Sequence, residues 1–271
     1  MKKLLCVAMA AVMCLGFAAC VGDKGAGDTS LAAKTSTMSA ELTEKYAKQY
    51  DLKVVYYEDS PTMYQAVVNG TNKACFEDRS VIGWAIKEEG LALKTVGDIE
   101  NPAQYGFAVK KGENADLIKM FNAGLANIKA SGEYDKILKK YGYGEVTYKD
   151  ASAKRVESGV TPSKEYVIYS DNAFAPFEFL DTATNKYTGV DMDILAAVAK
   201  DQGFKYVVKN EGFDASMGAV QSGQADGMIA GMTINEERAK TFDFSDGYFE
   251  DGQIMVVAAD SDITSVEDLA K

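Results

Sequence analysis

The chain has 271 residues, 47% of them hydrophobic and 25% charged, with only four prolines; this is the composition of a folded chain with room for one or two lobes. A formal charge of −11 with the acids scattered argues against a nucleic-acid partner and against a basic lipid-docking face. The absence of histidine removes serine–histidine triads, histidine-assisted thiols and paired-histidine metal sites, and no cofactor or metal is expected.

Met1-Lys2-Lys3 followed by an apolar run from Leu4 to Phe17 has the basic and hydrophobic parts of a secretory signal, too short for a comfortable membrane span. The run ends in Phe17-Ala18-Ala19-Cys20, which resembles a lipoprotein signal box with phenylalanine in place of the usual leucine. Residues 1–19 are therefore expected to be removed and Cys20 to carry lipid. The small, glycine-rich stretch 20–29 is expected to act as a tether. Three of the four cysteines, Cys6, Cys14 and Cys20, fall in this leader; Cys75 is left alone, expected as a buried strand thiol rather than half of a disulfide.

Leu52 to Tyr57 is rich in β-branched and aromatic residues and predicts a strand, and Ser60-Pro61 opens a helix to Val68. A strand at Ala74–Phe76 and a helix from Ser80 to Lys87, stopped near Gly90, continue the alternation. Tyr105 to Lys110 predicts another strand, and Ala115 to Tyr141 two helices separated at Gly132. Residues 149–165 lose periodicity and gain breakers, the signature of a linker. A second series begins with a strand at Tyr166–Ser170, then a helix from Asp191 to Lys200 and strands near Phe204–Val208 and Gly227–Ala230. Alternating strands and helices predict α/β layers built on parallel sheets. No internal sequence repeat is evident, so the two series read as different lobes.

The motifs SDNAFAPFEF (170–179), YTGVDMDILAAVA (187–199), AGMTINEER (230–238) and FDFSDGY (242–248) resemble the first lobe of polar amino-acid-binding proteins of ABC importers, family 3 solute-binding proteins, and most of all their glutamine-binding members. KTSTMSAE (34–41), DSPTMYQAVVNG (59–70) and ACFED (74–78) resemble the second lobe. The resemblance covers nearly all of the chain beyond the leader and implies a two-lobed periplasmic-binding-protein (type II) fold. The lobe order is reversed relative to that family, which implies a circular permutation; a truncated tandem protein is the rival account. On the permuted reading, residues 30–104 form a small lobe completed by 257–271. Residues 105–256 form the large lobe, with the 149–165 linker inside it and hinge strands near Tyr105–Ala108 and Val256–Ala259.

A free amino acid presents a carboxylate and an ammonium, and its receptor needs a cationic fork, neutral donors and an opposing carboxylate. The resemblance implies that Arg238 pairs with the ligand carboxylate, helped by Thr233, by the backbone near Gly231 and by the helix start at Thr37 and Met38. It implies Asp78 for the ammonium, with Glu77 beside it as a departure from the closest glutamine-binding members. Phe174 and Phe213 are implied as an aromatic clamp. Asp171 and Lys34 are candidates for reading the side-chain tip, a pairing that favours glutamine. The expected protein is a monomeric, extracytoplasmic lipoprotein that closes on a polar amino acid and delivers it to an ABC permease, without catalysis. A dehydratase-like enzyme and a sensory ligand-binding protein are the alternatives.

Overall fold

The computed structural model describes residues 29–144 and 154–271. The leader, Cys20, the tether up to residue 28 and the linker segment 145–153 lie outside the described residues.

The first half builds β1 (Ser30–Lys34), α1 (Met38–Tyr50), β2 (Lys53–Tyr57), α2 (Ser60–Val68), β3 (Ala74–Asp78), α3 (Arg79–Lys87) and the long β4 (Leu93–Tyr105). It continues with β5 (Ala108–Lys110), α4 (Ala115–Ser131) and α5 (Glu133–Lys140). The second half adds β6 (Glu165–Ser170), the short β7 (Ala173–Phe174), β8 (Glu178–Asp181), β9 (Lys186–Thr188), α6 (Val190–Gln202), β10 (Lys205–Asn210), α7 (Phe213–Ser222), β11 (Gly227–Met228), β12 (Phe242–Phe244) and β13 (Phe249–Ala258).

Several of these elements follow from local chemistry. Asp59 caps α2 by accepting from Thr62 N–H, and Pro61 sits in its first turn, where no N–H is needed. Gly132 takes φ +77° between α4 and α5, a left-handed turn that a side chain would resist. The expected helices and most expected strands occur within a few residues of their predicted limits.

Two five-stranded mixed sheets result, in the orders β2-β1-β3-β13-β4 and β10-β6-β11-β5-β12. In the first, β1 is parallel to β2 and β3, and β13 runs antiparallel between β3 and β4. In the second, β5 is the antiparallel strand, between β11 and β12. Both sheets thus follow one plan, although no sequence repeat announces it. Each is covered on two faces, so its strands bury alternate side chains in opposite directions. Leu31, Phe76 and Met255 pack with α1, whereas Ala32, Cys75 and Ile254 pack with α2 and α3. In the other lobe α4 and α6 cover one face and α7 the other. Cys75 is free and fully buried.

Two expected boundaries move. The strand expected over Tyr105–Lys110 is split, because Tyr105 ends β4 while Gly106 N–H donates to Met232 O at the crossing between sheets. The expected division at 256/257 is also incorrect: β13 pairs with β4 from Phe249↔Tyr105 to Ala258↔Leu93, so the whole strand belongs to the first sheet. The chain therefore crosses between sheets at Tyr105/Gly106 and Tyr248/Phe249, where Tyr248 N–H donates to Tyr105 O at 2.9 Å. Val256–Ala259 lies at the far end of that sheet and is no part of the crossing.

Candidate functional site

All eleven residues expected at a binding site converge on one cavity between the two sheets: Lys34, Thr37, Met38, Glu77, Asp78, Asp171, Phe174, Phe213, Gly231, Thr233 and Arg238. Ser39 and Ala230, which sequence reasoning did not single out, complete the wall. The cavity holds about 320 Å³ of empty space, including its solvent-open part. Lys34 through Asp78 belong to the lobe of the first sheet and Asp171 through Arg238 to that of the second, so the cavity exists only while the lobes face each other.

The lobes are in contact. Ser36 Oγ donates to Asp214 Oδ1 at 2.7 Å, and Arg238 donates from Nη2 to Ser36 O at 3.0 Å and from Nη1 to Thr233 O at 3.1 Å. Two of the five guanidinium N–H groups are thereby engaged, leaving three for an anion. Phe213 lies beside both cations, 5.4 Å from Arg238 Cζ and 5.9 Å from Lys34 Nζ measured to the ring centroid. Near the crossings, Trp84 of α3 packs against Tyr141 and Phe179 of the other lobe, and Tyr143 O–H donates to Ser80 O at 3.0 Å.

At one end of the cavity Lys34 and Asp171 form an ion pair across the lobes, 2% and 1% exposed. Asp171 also accepts from the backbone N–H of Asn172 at 2.7 Å and of Ala173, and Lys34 sits 4.9 Å from the Phe174 ring centroid. A buried pair of this kind is roughly neutral in net stability, but deleting one partner costs about 3–5 kcal/mol because the other charge is stranded.

Thr37 caps α1: its hydroxyl accepts from Ala40 N–H at 3.1 Å and donates to Lys34 O at 2.8 Å. The hydroxyl is thereby consumed, so what the helix start offers an anion is its first-turn amides, at Met38 and Ser39. That position, two residues past the cap, was the available signal for Ser39. Asn235 Nδ2 donates to Met38 Sδ at 2.9 Å and ties this turn to the other lobe.

Asp78 ends β3 with both oxygens engaged, by Tyr105 O–H and by Gln253 Nε2 at 2.6 Å. Burial, with Glu77 and Asp251 nearby, pushes its carboxyl up to about 7. Glu77 accepts from Ser60 Oγ at 3.0 Å, Tyr64 O–H at 2.8 Å and Asp78 N–H at 2.9 Å. Its carboxyl is raised by burial and lowered in turn by Lys34 and these donors. Burial also lowers Arg238 from its ordinary value.

Gly231 holds φ +54°, and a Cβ there would meet Phe174 Cε1 at 2.6 Å. Left-handed backbone costs a non-glycine residue roughly 1–2 kcal/mol, and the ring cannot retreat freely because it packs on Phe177. Gly231→Ala is expected to displace Phe174 and to weaken ligand binding at least about tenfold by isothermal titration. An unchanged affinity would show that the ring does not need this close approach.

The model of the bacterial extracellular solute-binding proteins, family 3, matches residues 26–145 and 166–269. The chain belongs to that family, a class of non-enzymatic transport components with a two-lobed α/β fold. Over 123 residues it is 38% identical to a probable histidine-binding protein of Neisseria gonorrhoeae, covering 45% of this chain and 44% of that one. Over 98 residues it is 39% identical to an ABC transporter glutamine-binding protein of Bacillus subtilis (strain 168), covering 35% and 36%. The chain thus spans less than half the length of either relative. The open conformation of Lactococcus lactis GlnP substrate binding domain 2 is 51% identical over a stretch covering 31% of this chain and 36% of that one, with a TM-score of 0.30.

Proposed function

We propose that this protein is the extracytoplasmic, lipid-anchored receptor of an ABC importer, and that it captures a free polar amino acid, glutamine before others, by closing its lobes. The observation that carries this reading is the convergence of Arg238, Asp78 and the α1 first turn on one interlobe cavity. Together they offer a cationic fork and amides to a carboxylate, and a carboxylate to an ammonium. Closure follows from shared contacts, since only the closed state touches ligand from both lobes.

The Lys34–Asp171 pair favours glutamine. Its charges cancel, so this end of the cavity suits a neutral amide that can donate to Asp171 and accept from Lys34. A cationic side chain would have to displace Lys34 and strand its charge. The engagement of Glu77 by Ser60, Tyr64 and Asp78 N–H supports capture over a dehydratase-like reaction, because both oxygens of the acid that such a reaction would use are already held by donors of its own lobe.

A circular permutation is part of the proposal. It is supported by the make-up of the first sheet, in which β13 pairs with both β3 and β4, and by Lys73, which donates from its backbone to Ser30 O at 2.9 Å and from Nζ to Leu269 O at 3.3 Å. It is also supported by the gap of the family match at 146–165. The described part of that segment lies against the surface, with Val156 N–H donating to Asn127 Oδ1 at 2.7 Å.

The test is a thermal-shift screen of the twenty amino acids and cystine. At a hundredfold excess over Kd a ligand adds about 2.7 kcal/mol, and L-glutamine is expected to raise the melting temperature more than arginine, histidine or cystine. The fluorescence of Trp84, the sole tryptophan, is expected to change with the same ligand, since it lies across the lobe contact. Equal shifts from all of them, or none from any, would sink the assignment.

A further inference from the structure

Directly behind the Gly231 wall lie two acids that the cavity does not use. Glu178 of β8 and Asp191 in the first turn of α6 are both 0% exposed. The backbone brings them together: Asp191 N–H donates to Phe177 O at 3.0 Å and Val190 N–H to Pro176 O at 2.9 Å, and each carboxyl lies near enough to influence the titration of the other. Asp191 Oδ2 accepts twice, from Gly231 N–H and from Tyr248 O–H, each at 2.8 Å. Asp191 Oδ1 and both Glu178 oxygens have no donor among the described residues.

Two carboxylates cannot both stay ionised in contact and away from water. A proton on one of them removes the repulsion and supplies the donor that the orphaned oxygens lack. Asp191 already has two donors that favour its charged form, and Glu178 has none, so the proton belongs on Glu178. We propose that Glu178 is a neutral carboxylic acid donating to Asp191 Oδ1, and that the pair acts as one unit positioning the Gly231 wall of the binding cavity.

The electrostatics agree. Burial first, then Asp191 and Asp171, push the Glu178 carboxyl well above the usual carboxylate range, against a smaller opposing pull from Lys34. Asp191, raised by burial but favoured by Gly231 N–H and Tyr248 O–H, stands at about 6. The positioning follows from direction. Asp191 draws Gly231 N–H inward and holds the left-handed turn on which the Phe174 ring packs. Across the trans peptide, the carbonyl of Ala230 points the opposite way, away from Asp191. Glu178 and Asp191 are thus positioning residues that act on ligand through Gly231 and Phe174.

The proton is tested on the wild-type protein with carbon-13-labelled glutamate, the Glu178 carboxyl signal being the one lost in Glu178→Gln. A neutral-acid chemical shift at pH 7 is expected; an ionised one overturns the proposal. The positioning rests on the cavity binding an amino acid and is tested by titrating L-glutamine. Glu178→Gln keeps an N–H donor and should hold Kd within about threefold, whereas Glu178→Leu removes the donor and should weaken binding at least about tenfold. In the same leucine variant the Gly231 amide proton should shift and exchange faster. Equal weakening by glutamine and leucine substitutions overturns the positioning role. Should Glu178→Leu not fold, the labelled carboxyl and an unweakened Glu178→Gln still decide. Failure of the wild type to bind glutamine would defeat the function proposed above and leave the proton's location standing on its own measurement.

Discussion

Arg238→Ala is expected to abolish measurable amino-acid binding while leaving the fold intact. Two charge-assisted hydrogen bonds to a ligand carboxylate contribute about 1.5–3 kcal/mol each, and removing the fork would leave Lys34, already paired with Asp171, as the remaining cation of a cavity that also holds Asp78 and Glu77. The sum corresponds to roughly two to four orders of magnitude in Kd. The fold should survive because Arg238 stands on a short 3₁₀ turn, is only partly buried, and bonds backbone carbonyls rather than a buried charge. Isothermal titration with L-glutamine and a urea melt without ligand separate the two effects. Affinity within about tenfold of the wild type would show that the carboxylate is held elsewhere, for which the α1 first turn is the alternative on this cavity. Arg238→Lys should recover only part of the loss, since a point charge cannot make the forked contact.

The sequence was most informative where a single residue type decides a local conformation. Asp59, Ser60 and Pro61 write the start of α2, and Gly132 writes the break between α4 and α5. It was least informative along β4 and β13, the strands that carry the chain between lobes. β4 contains Gly97, Asn101 and Pro102, two of them at positive φ, which read as breakers. After Phe249, β13 continues with Glu250, Asp251, Gly252 and Gln253, which carry little strand signal. Its pairing with β4 accommodates them through register shifts around Asp251 and Gln253. Gly252 is needed there for close approach, since a Cβ would sit 2.6 Å from Ile99 Cγ2.

The same strands explain which parts of the site stayed hidden. Arg238, Thr233, Asp78, Asp171 and Phe174 sit inside motifs of several residues, so resemblance carried them. Tyr105 and Gln253 hold Asp78 from β4 and β13, and neither lies in a recognisable motif. Their roles depend on pairing residues 78 and 253 side by side, a long-range register that no local pattern encodes. The Glu178–Asp191 contact is likewise a product of tertiary approach, although each residue lies within a motif that resemblance marks for its neighbours.

Asp78 should make ligand binding depend on pH. Its carboxyl stands at about 7 without ligand, raised from an ordinary 3.8 by burial first, then by Glu77 and Asp251. Tyr105 O–H, the Gln253 amide and the positive charge of Arg238 also face it. An ammonium binds the ionised form, so ligand lowers this pKa and binding releases a proton whenever the free group still holds one. Affinity is therefore expected to be full above pH 7 and to fall by up to about tenfold per pH unit below it. Folding without ligand has the opposite sign. A carboxyl raised in the folded state contributes stability that is fully present below about 4 and lost as pH rises through about 7, so this group favours the empty protein in acid while disfavouring its complex. Calorimetry at pH 6 in buffers of different ionisation enthalpy should record proton release on binding. Asp78→Asn should remove that release, flatten the pH profile and weaken binding by about 2–5 kcal/mol, the cost of taking one partner from a buried charged contact. The variant should still fold. Tyr105 O–H keeps an acceptor in the amide oxygen, and Gln253 Oε1, which has no partner among the described residues, can accept from the new amide nitrogen once the Gln253 amide turns over. A pH-independent affinity in the wild type would remove Asp78 as the ammonium's partner.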